Sequence, residues 1–216
     1  MNDAPSRWPD TLGRGPVTLR PLKPSDERAW SQIREHGEAW FKPWDSTRPP
    51  GALDQSVGFA TLVRRFRHRA RRGTMLPWAV DYTPDGRTPR FVGQVTVSGI
   101  TYGSASWAQI GYWVDPRWAG RGIIPTAVAL ACDYCFTTLK LHRIEVAIRP
   151  ENTKSLAVVR KLGFRFEALV PRYMHVDGDW RDHYLFALHA EEVPEGMLAR
   201  LEQFGAVAPL TPPEGL

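Results

Sequence analysis

Cysteine is almost missing from this sequence: Cys132 and Cys135 are the only two in 216 residues. Their CxxC spacing has neither a second ligand pair nor a following histidine, which excludes the usual zinc frameworks. Both thiols are therefore expected in the core, and no metal is expected. Long apolar runs are also missing. The most apolar stretch, residues 123–136, is interrupted by Asp133 and falls short of the roughly 20 residues that cross a bilayer. Residues 1–15 hold Pro, Asp and Arg but no apolar h-region, which argues against a secretory signal and points to the cytoplasm. No internal repeat is evident. A strong charge imbalance is lacking as well, since a net charge of +5 and a pI near 9.5 favour acidic partners only weakly. What the chain does have is apolar and aromatic mass. Hydrophobic residues make up 43% and there are nine Trp, which excludes a disordered chain and suits one core.

Hydrophobic periodicity then divides the chain. Residues 17–22 alternate as a first strand before Pro24, and Asp26 is a candidate cap for a helix carrying Ala29, Trp30 and Ile33 up to Gly37. Residues 40–51, rich in Trp and Pro, have no sustained period and read as an ordered aromatic loop. From 54 to 72, Phe59, Leu62, Val63, Phe66 and Ala70 recur at steps of three and four, which predicts an amphipathic helix. Its other faces carry Arg64, Arg65, Arg67, Arg69, Arg71 and Arg72, either a solvated surface or a contact for ribosomal RNA. Strands follow at 75–81 and 90–97, joined by a turn at Pro84-Asp85-Gly86, and at 107–114. A buried helix over 120–139, a strand at 143–148, a helix from Asn152 to a stop at Gly163, and strands at 165–175 and 182–189 complete the pattern. This order gives an α/β fold: one domain over residues 16–190, with a mixed sheet of about seven strands flanked by helices. Residues 1–15 are expected to be disordered, and 191–216 to hold one short helix and a frayed tail through Pro209, Pro212 and Pro213.

One segment carries chemistry. Arg117-Trp118-Ala119-Gly120-Arg121-Gly122 joins an apolar strand to a buried helix. Glycines there let backbone approach a ligand, and free N–H groups at a helix N-terminus, at the positive end of its dipole, suit a phosphate or pyrophosphate. Arg117 and Arg121 offer further charge. Neither GxxxxGK[ST] nor GxGxxG is present, since Pro125 occupies the place of the third glycine, so ATP and NAD lose ground. Turn geometry alone would also explain these glycines.

The arrangement Arg117-x-x-Gly120-x-Gly122 after Ile110-Gly111-Tyr112-Trp113-Val114 resembles the [QR]xxGx[GA] pyrophosphate motif of the GNAT acetyltransferases. His142-Arg143-Ile144-Glu145, Pro150-Glu151-Asn152-x-x-Ser155, Lys161-Leu162-Gly163-Phe164 and Asp177-Gly178-x-Trp180-x-Asp182-His183 are similar to its RimJ/RimL branch, whose members acetylate protein N-termini. The likeness runs from about Val17 to Leu188. It implies a mostly antiparallel, twisted GNAT sheet and acetyl-CoA as cosubstrate. It also implies that the strand end near Val114 binds pantetheine, that the amides of Trp118, Ala119, Gly120, Arg121 and Gly122 hold the pyrophosphate, and that Asn152 and Ser155 face the thioester.

The implied reaction is direct attack of an amine on a thioester, which needs no covalent enzyme intermediate. Ser155 is the candidate donor to the departing thiolate and Glu145 the candidate base; Asn152 and Ser155 also suit an ordinary helix start. His142, His175, His183 and Tyr173 are other candidates for the base. Trp40, Phe41 and Trp44 are candidates for the acceptor groove, with core filling as the plainer alternative. The acceptor is expected to be a protein N-terminus, for instance that of a ribosomal protein. A polyamine, an aminoglycoside, or a non-catalytic CoA-binding or nucleic-acid-binding role are the alternatives.

Overall fold

The computed structural model describes residues 8, 10–53, 56–84, 86 and 88–203. The strands are β1 (Leu12–Arg14), β2 (Val17–Pro21), β3 (Met75–Tyr82), β4 (Arg90–Thr101), β5 (Trp107–Val114), β6 (Arg143–Ile148), β7 (Arg165–Val176) and β8 (Asp179–His189). The helices are α1 (Glu27–His36), α2 (Glu38–Phe41), α3 (Phe59–Arg71), α4 (Ile123–Thr137), α5 (Thr153–Lys161) and α6 (Met197–Gln203). All eight strands form one sheet in the order β1-β2-β3-β4-β5-β6-β8-β7, antiparallel except where β5 meets β6.

Strand alternation sorts the side chains onto two faces. On one face Trp78, Val95 and Ile144 join the main core, against Val128, Ala131 and Cys135 of α4 and Leu156 and Val159 of α5. On the other, Ala79 packs with Leu22 and with Phe59 and Val63 of α3. Cys132 and Cys135 are fully buried, and burial raises both thiol pKa values, so they fill the core as expected. Gly93 is required by close approach: a Cβ there would stand 2.3 Å from the Trp113 carbonyl oxygen of the neighbouring strand.

Four expectations need correction. The sheet gains an eighth strand, because Leu12–Arg14 turns back to pair with residues 17–19 of β2, Leu12 opposite Leu19, inside the stretch expected to be disordered. Residues 1–7 and 9, and the proline-rich tail from 204, lie outside the described residues, as does Asp85 of the expected hairpin turn. The aromatic stretch is not a loop: α2 and a 3₁₀ turn at Lys42–Trp44 occupy its first half. Helix α3 begins at Phe59, with Gly58 in extended conformation before it, rather than at 54. Asp26 makes no cap bond into α1.

The Asp26 carboxylate is instead held by Arg20, at 2.8 Å through two contacts, while the same guanidinium binds Asp81 at 2.6 and 3.0 Å. Burial works against the Arg20 charge, but its bonds to Asp26 and Asp81 outweigh it and hold the guanidinium protonated. One cation thus ties β2, β3 and the entry to α1. Replacing it strands two buried carboxylates, and breaking such a pair costs about 3 kcal/mol. Arg20→Met should therefore lower the urea-unfolding free energy by about that amount, with an unchanged dependence on denaturant.

Candidate active site

The site originates where β5 and β6 part. Their parallel pairing lasts three rungs, from Trp107 opposite Arg143 to Gln109 opposite Glu145. Beyond that, β5 stays paired with β4 as far as Val114, and β6 with β8 as far as Ile148. The gap between them is lined by two cavities. The larger, about 870 Å³, runs along Tyr112 to Val114, the loop from Pro116 to Gly122, the start of α4, and α5. The smaller, about 340 Å³, lies among Gln109 to Tyr112, Val146 to Arg149, Met174 and His183. Trp44, Ser46, Tyr112, Asn152 and Ser155 line both, so the two spaces meet there.

In the larger cavity the loop presents backbone donors. Gly120 and Gly122 both have left-handed φ, +77° and +75°, and a Cβ on either would meet nothing within 4 Å. The space that such a Cβ would enter is the open cradle. Trp118 and Ala119 spend their amides inside the turn, on the carbonyls of Asp115 and Pro116. The free donors are therefore the amides of Gly120, Arg121, Gly122, Ile123 and Ile124, which have no partner among the described residues. This set lies two residues further along than expected, and the positive end of a fifteen-residue helix stands behind it. Such a cradle fits a pyrophosphate.

The arginines contribute less directly. Arg117 Nε and Nη2 donate to buried Asp115, at 3.0 and 2.6 Å, and its amide donates to the same carboxylate. Arg117 thus shapes the loop, and its charge is already paired. Arg121 stacks on Trp118 at 5.1 Å. Neither guanidinium lines the cavity.

At the junction Asn152 caps α5, its side chain accepting from the Ser155 amide at 3.1 Å. The Tyr112 hydroxyl donates to the Ser155 carbonyl at 3.3 Å, and loss of water around the phenol raises its pKa, so it remains a donor. The Ser155 side chain also interacts with the Tyr112 phenol, offsetting part of that rise, and Ser155 lines both cavities. Tyr112 carried no assigned role in the sequence. The signal for it is parity on β5: Tyr112 shares a face with Ile110 and Ala108, toward α4 and α5, whereas Trp113 points to the opposite side.

The other candidates divide. Trp40, Phe41 and Trp44 all line the larger cavity, but only Trp44 reaches the smaller one. Phe41 is also core, at 5.5 Å from Trp113 and with Arg34 at 4.3 Å from its ring. Lys154 lies 3.5 Å over Trp40, bringing α5 against this wall. Glu145 lines neither cavity; Arg143 binds its carboxylate at 2.7 Å, at the last rung before the strands part. His142 precedes β6 and is bonded to Glu191, and His175 is bonded to Thr47 at 2.8 Å. Tyr173 accepts from Gln109 at 2.9 Å. Among the described residues, His183 is the one histidine that lines either of these two cavities.

A splayed parallel strand pair with an anion cradle on the helix that follows the first strand offers a gap suited to an acyl-CoA cosubstrate. The family described as "Acetyltransferase (GNAT) domain" matches residues 17–165, and the chain belongs to the GNAT acetyltransferases. It is an acetyl-CoA-dependent N-acetyltransferase, and it is similar to RimJ/RimL acetyltransferases. A structure of Mycobacterium smegmatis RimJ in complex with CoA-disulfide is 43% identical, covers 92% of this chain and 96% of its own, and superposes with a TM-score of 0.81. The probable N-acetyltransferase YjcK of Bacillus subtilis (strain 168) is 39% identical over 80% of this chain and 93% of its own. The [ribosomal protein uS5]-alanine N-acetyltransferase of Escherichia coli (strain K12) is 28% identical over 76% of this chain and 83% of its own.

The cradle can be tested by filling it. A branched side chain at either glycine must adopt left-handed φ and occupies the space facing the amides. Gly120→Val and Gly122→Val should each weaken CoA binding by 100-fold or more in calorimetry, on the order of three missing hydrogen bonds, while circular dichroism stays native. Normal affinity in both variants would remove the loop from the site.

Proposed function

We propose that this enzyme transfers the acetyl group of acetyl-CoA to the N-terminal α-amine of a protein, such as a ribosomal protein. The observation that carries this reading is the lining of the smaller cavity. It holds Ser98, Gln109, Asn152 and Ser155 but no carboxylate, and its one permanent cation is Arg149. A polyamine or aminoglycoside would bring several positive charges beside Arg149 with no anion to receive them. A peptide N-terminus brings one, on an α-amine with a pKa of about 7.7 to 8.0 that is partly neutral near pH 7. The strand edges that part at Gln109 also offer unpaired backbone groups suited to an extended peptide. The E. coli relative named above, an alanine N-acetyltransferase of a ribosomal protein, agrees with this acceptor.

On this reading the amine lone pair forms the C–N bond to the thioester carbonyl, the C–S bond breaks, and the thiolate leaves. A thiol has a pKa of about 8.5, so a neutral hydroxyl donor near the sulfur is enough to ease departure, and Ser155 occupies the junction where the two substrates meet. Mass spectrometry of N-terminal peptides, polyamines and aminoglycosides incubated with acetyl-CoA tests the acceptor. Acetylated peptide α-amines are expected; acetylation confined to small amines, or CoA binding with no transfer to any acceptor, would overturn the reading. Ser155→Ala should lower kcat about tenfold or more with little change in acetyl-CoA affinity.

Helix α3 supports a ribosomal setting. Arg64, Arg65, Arg69, Arg71 and Arg72 are exposed, and none of them has an acidic partner among the described residues. The helix packs on the Ala79 face of the sheet, the face that also carries Gln109 and His183. Each phosphate contact made by such a surface releases counterions. Changing Arg64, Arg65 and Arg69 to Gln should weaken binding to an RNA duplex and flatten its salt dependence by about 2 to 3 in log–log slope, with transfer to free peptides unaltered.

A further inference from the structure

We propose that His183 is the group that takes the proton from the attacking amine, a step that rests on the acceptor site described above. Among the residues lining the smaller cavity, Ser, Gln and Asn side chains are not bases, Arg149 is a permanent cation, and Tyr112 is held as a phenol. In the larger cavity the carboxylate of Asp45 is bound by Arg34, and the remaining ionisable groups are the amines of Lys154 and Lys161. His183 alone is both at the acceptor space and able to accept a proton near neutral pH.

Its surroundings fix which nitrogen acts. His183 is 4% exposed, and its Nδ1 lies 2.9 Å from the Arg181 carbonyl oxygen. A carbonyl only accepts, so Nδ1 carries the hydrogen and Nε2 keeps the lone pair. The ring rests against Tyr173 at 5.7 Å, and Tyr173 is in turn tethered to Gln109 across the gap. Opposite His183, β7 bulges: Val170 pairs with His183 and Met174 with Arg181, so residues 171–173 face Asp182 alone. Arg172 has φ +51° there, and its amide donates to the Asp182 carboxylate at 2.8 Å. The bulge turns Tyr173 toward His183, and it engages Asp182 by a backbone bond.

The charged groups facing the ring act in opposite directions. Burial disfavours the imidazolium most, Arg149 does so further, and the Arg181 carbonyl, Asp182 and Glu151 partly offset them, so the pKa is lowered from its usual value near 6.5. The ring is neutral at pH 7 and its lone pair is available. As the C–N bond forms, one N–H proton passes from the amine to Nε2, the C–S bond breaks with its electron pair leaving on sulfur, and the imidazolium then returns its proton to water.

The test separates a basic from a structural role. His183→Asn retains an N–H donor for the Arg181 carbonyl but has no basic nitrogen, and His183→Ala leaves room for added imidazole. Both are compared with the wild-type enzyme on whichever amine the wild type acetylates, peptide or polyamine, so a wild type that acetylates only polyamines counts against the acceptor reading and not against His183. We expect kcat to fall about 100-fold in both variants with KM for acetyl-CoA unchanged, and imidazole to restore much of the rate of His183→Ala but none of that of Ser155→Ala. A His183→Asn enzyme that binds acetyl-CoA and turns over at the wild-type rate overturns the assignment, as does a His183→Ala loss that imidazole leaves untouched.

Discussion

Everything functional in this enzyme depends on two neighbouring strands being committed to different partners. β5 follows β4 to its end, and the Asp115 amide adds one more bond to the Val92 carbonyl beyond the last rung. β6 follows β8 to its end. Sheet twist accumulates along both pairs, so two strands that start side by side diverge unless their own hydrogen bonds hold them together. Those bonds stop at Gln109 and Glu145. From there on, backbone groups that would be paired inside a continuous sheet face a gap, and buried backbone groups must find partners. A thioester cosubstrate with amide groups along its arm and an extended peptide are both ligands able to supply them.

The two faces of the sheet then divide the labour. Toward α4 and α5 lie the amide cradle, Tyr112 and the capped start of α5, a region that suits negative charge. Toward α1 and α3 lie Gln109 and His183, with Arg149 at the rim and the aromatic wall stitched in place. That wall is fixed by backbone bonds from Thr47 to His175 and from Asp177 to Asp45, and by Arg149 donating to the Pro43 carbonyl at 2.7 Å. Ser155 faces both spaces because Asn152 sets where its helix begins. A capping interaction worth about 1 kcal/mol to the helix is thereby also the element that aims a hydroxyl.

How much of this was legible in the sequence follows from the range of the forces involved. Asn152 as cap, Gly120 and Gly122 as turn glycines, and the strands 107–114 and 143–148 are set by local chemistry, and they appear where the pattern placed them. The partner of Arg117 is only two residues away, yet a short carboxylate before a proline reads equally well as a strand terminator, so the arginine looked free. The helical turn at residues 38–44 was hidden because its aromatic residues are positioned by Arg34 and Trp113, which are brought together by the fold. Leu12–Arg14 is too short to announce itself, and it exists because β2 offers an edge. The proposed proton acceptor was the hardest to place. Strand parity puts Glu145 and His183 on one face alike; what separates them is the rung at which β5 leaves β6, and no single strand encodes that rung.

A gap in a sheet is costly unless something other than the ladder spans it. Here three side-chain bridges do so at successive heights: Gln109 of β5 to Tyr173 of β7, Tyr112 of β5 to the Ser155 carbonyl of α5, and Arg149 at the end of β6 to the Pro43 carbonyl of the aromatic wall. Each holds the two halves of the site at a set separation without occupying the backbone groups that face the opening. Side-chain bonds of this kind contribute about 1 kcal/mol each, far less than a run of ladder bonds closing the gap would. The sheet therefore gives up part of its own cohesion along β5 and β6, and the halves are joined by contacts that leave the strand edges free for substrate. That is also why Gln109, Tyr112 and Arg149 border the smaller cavity: the residues that keep the gap open are those that line it.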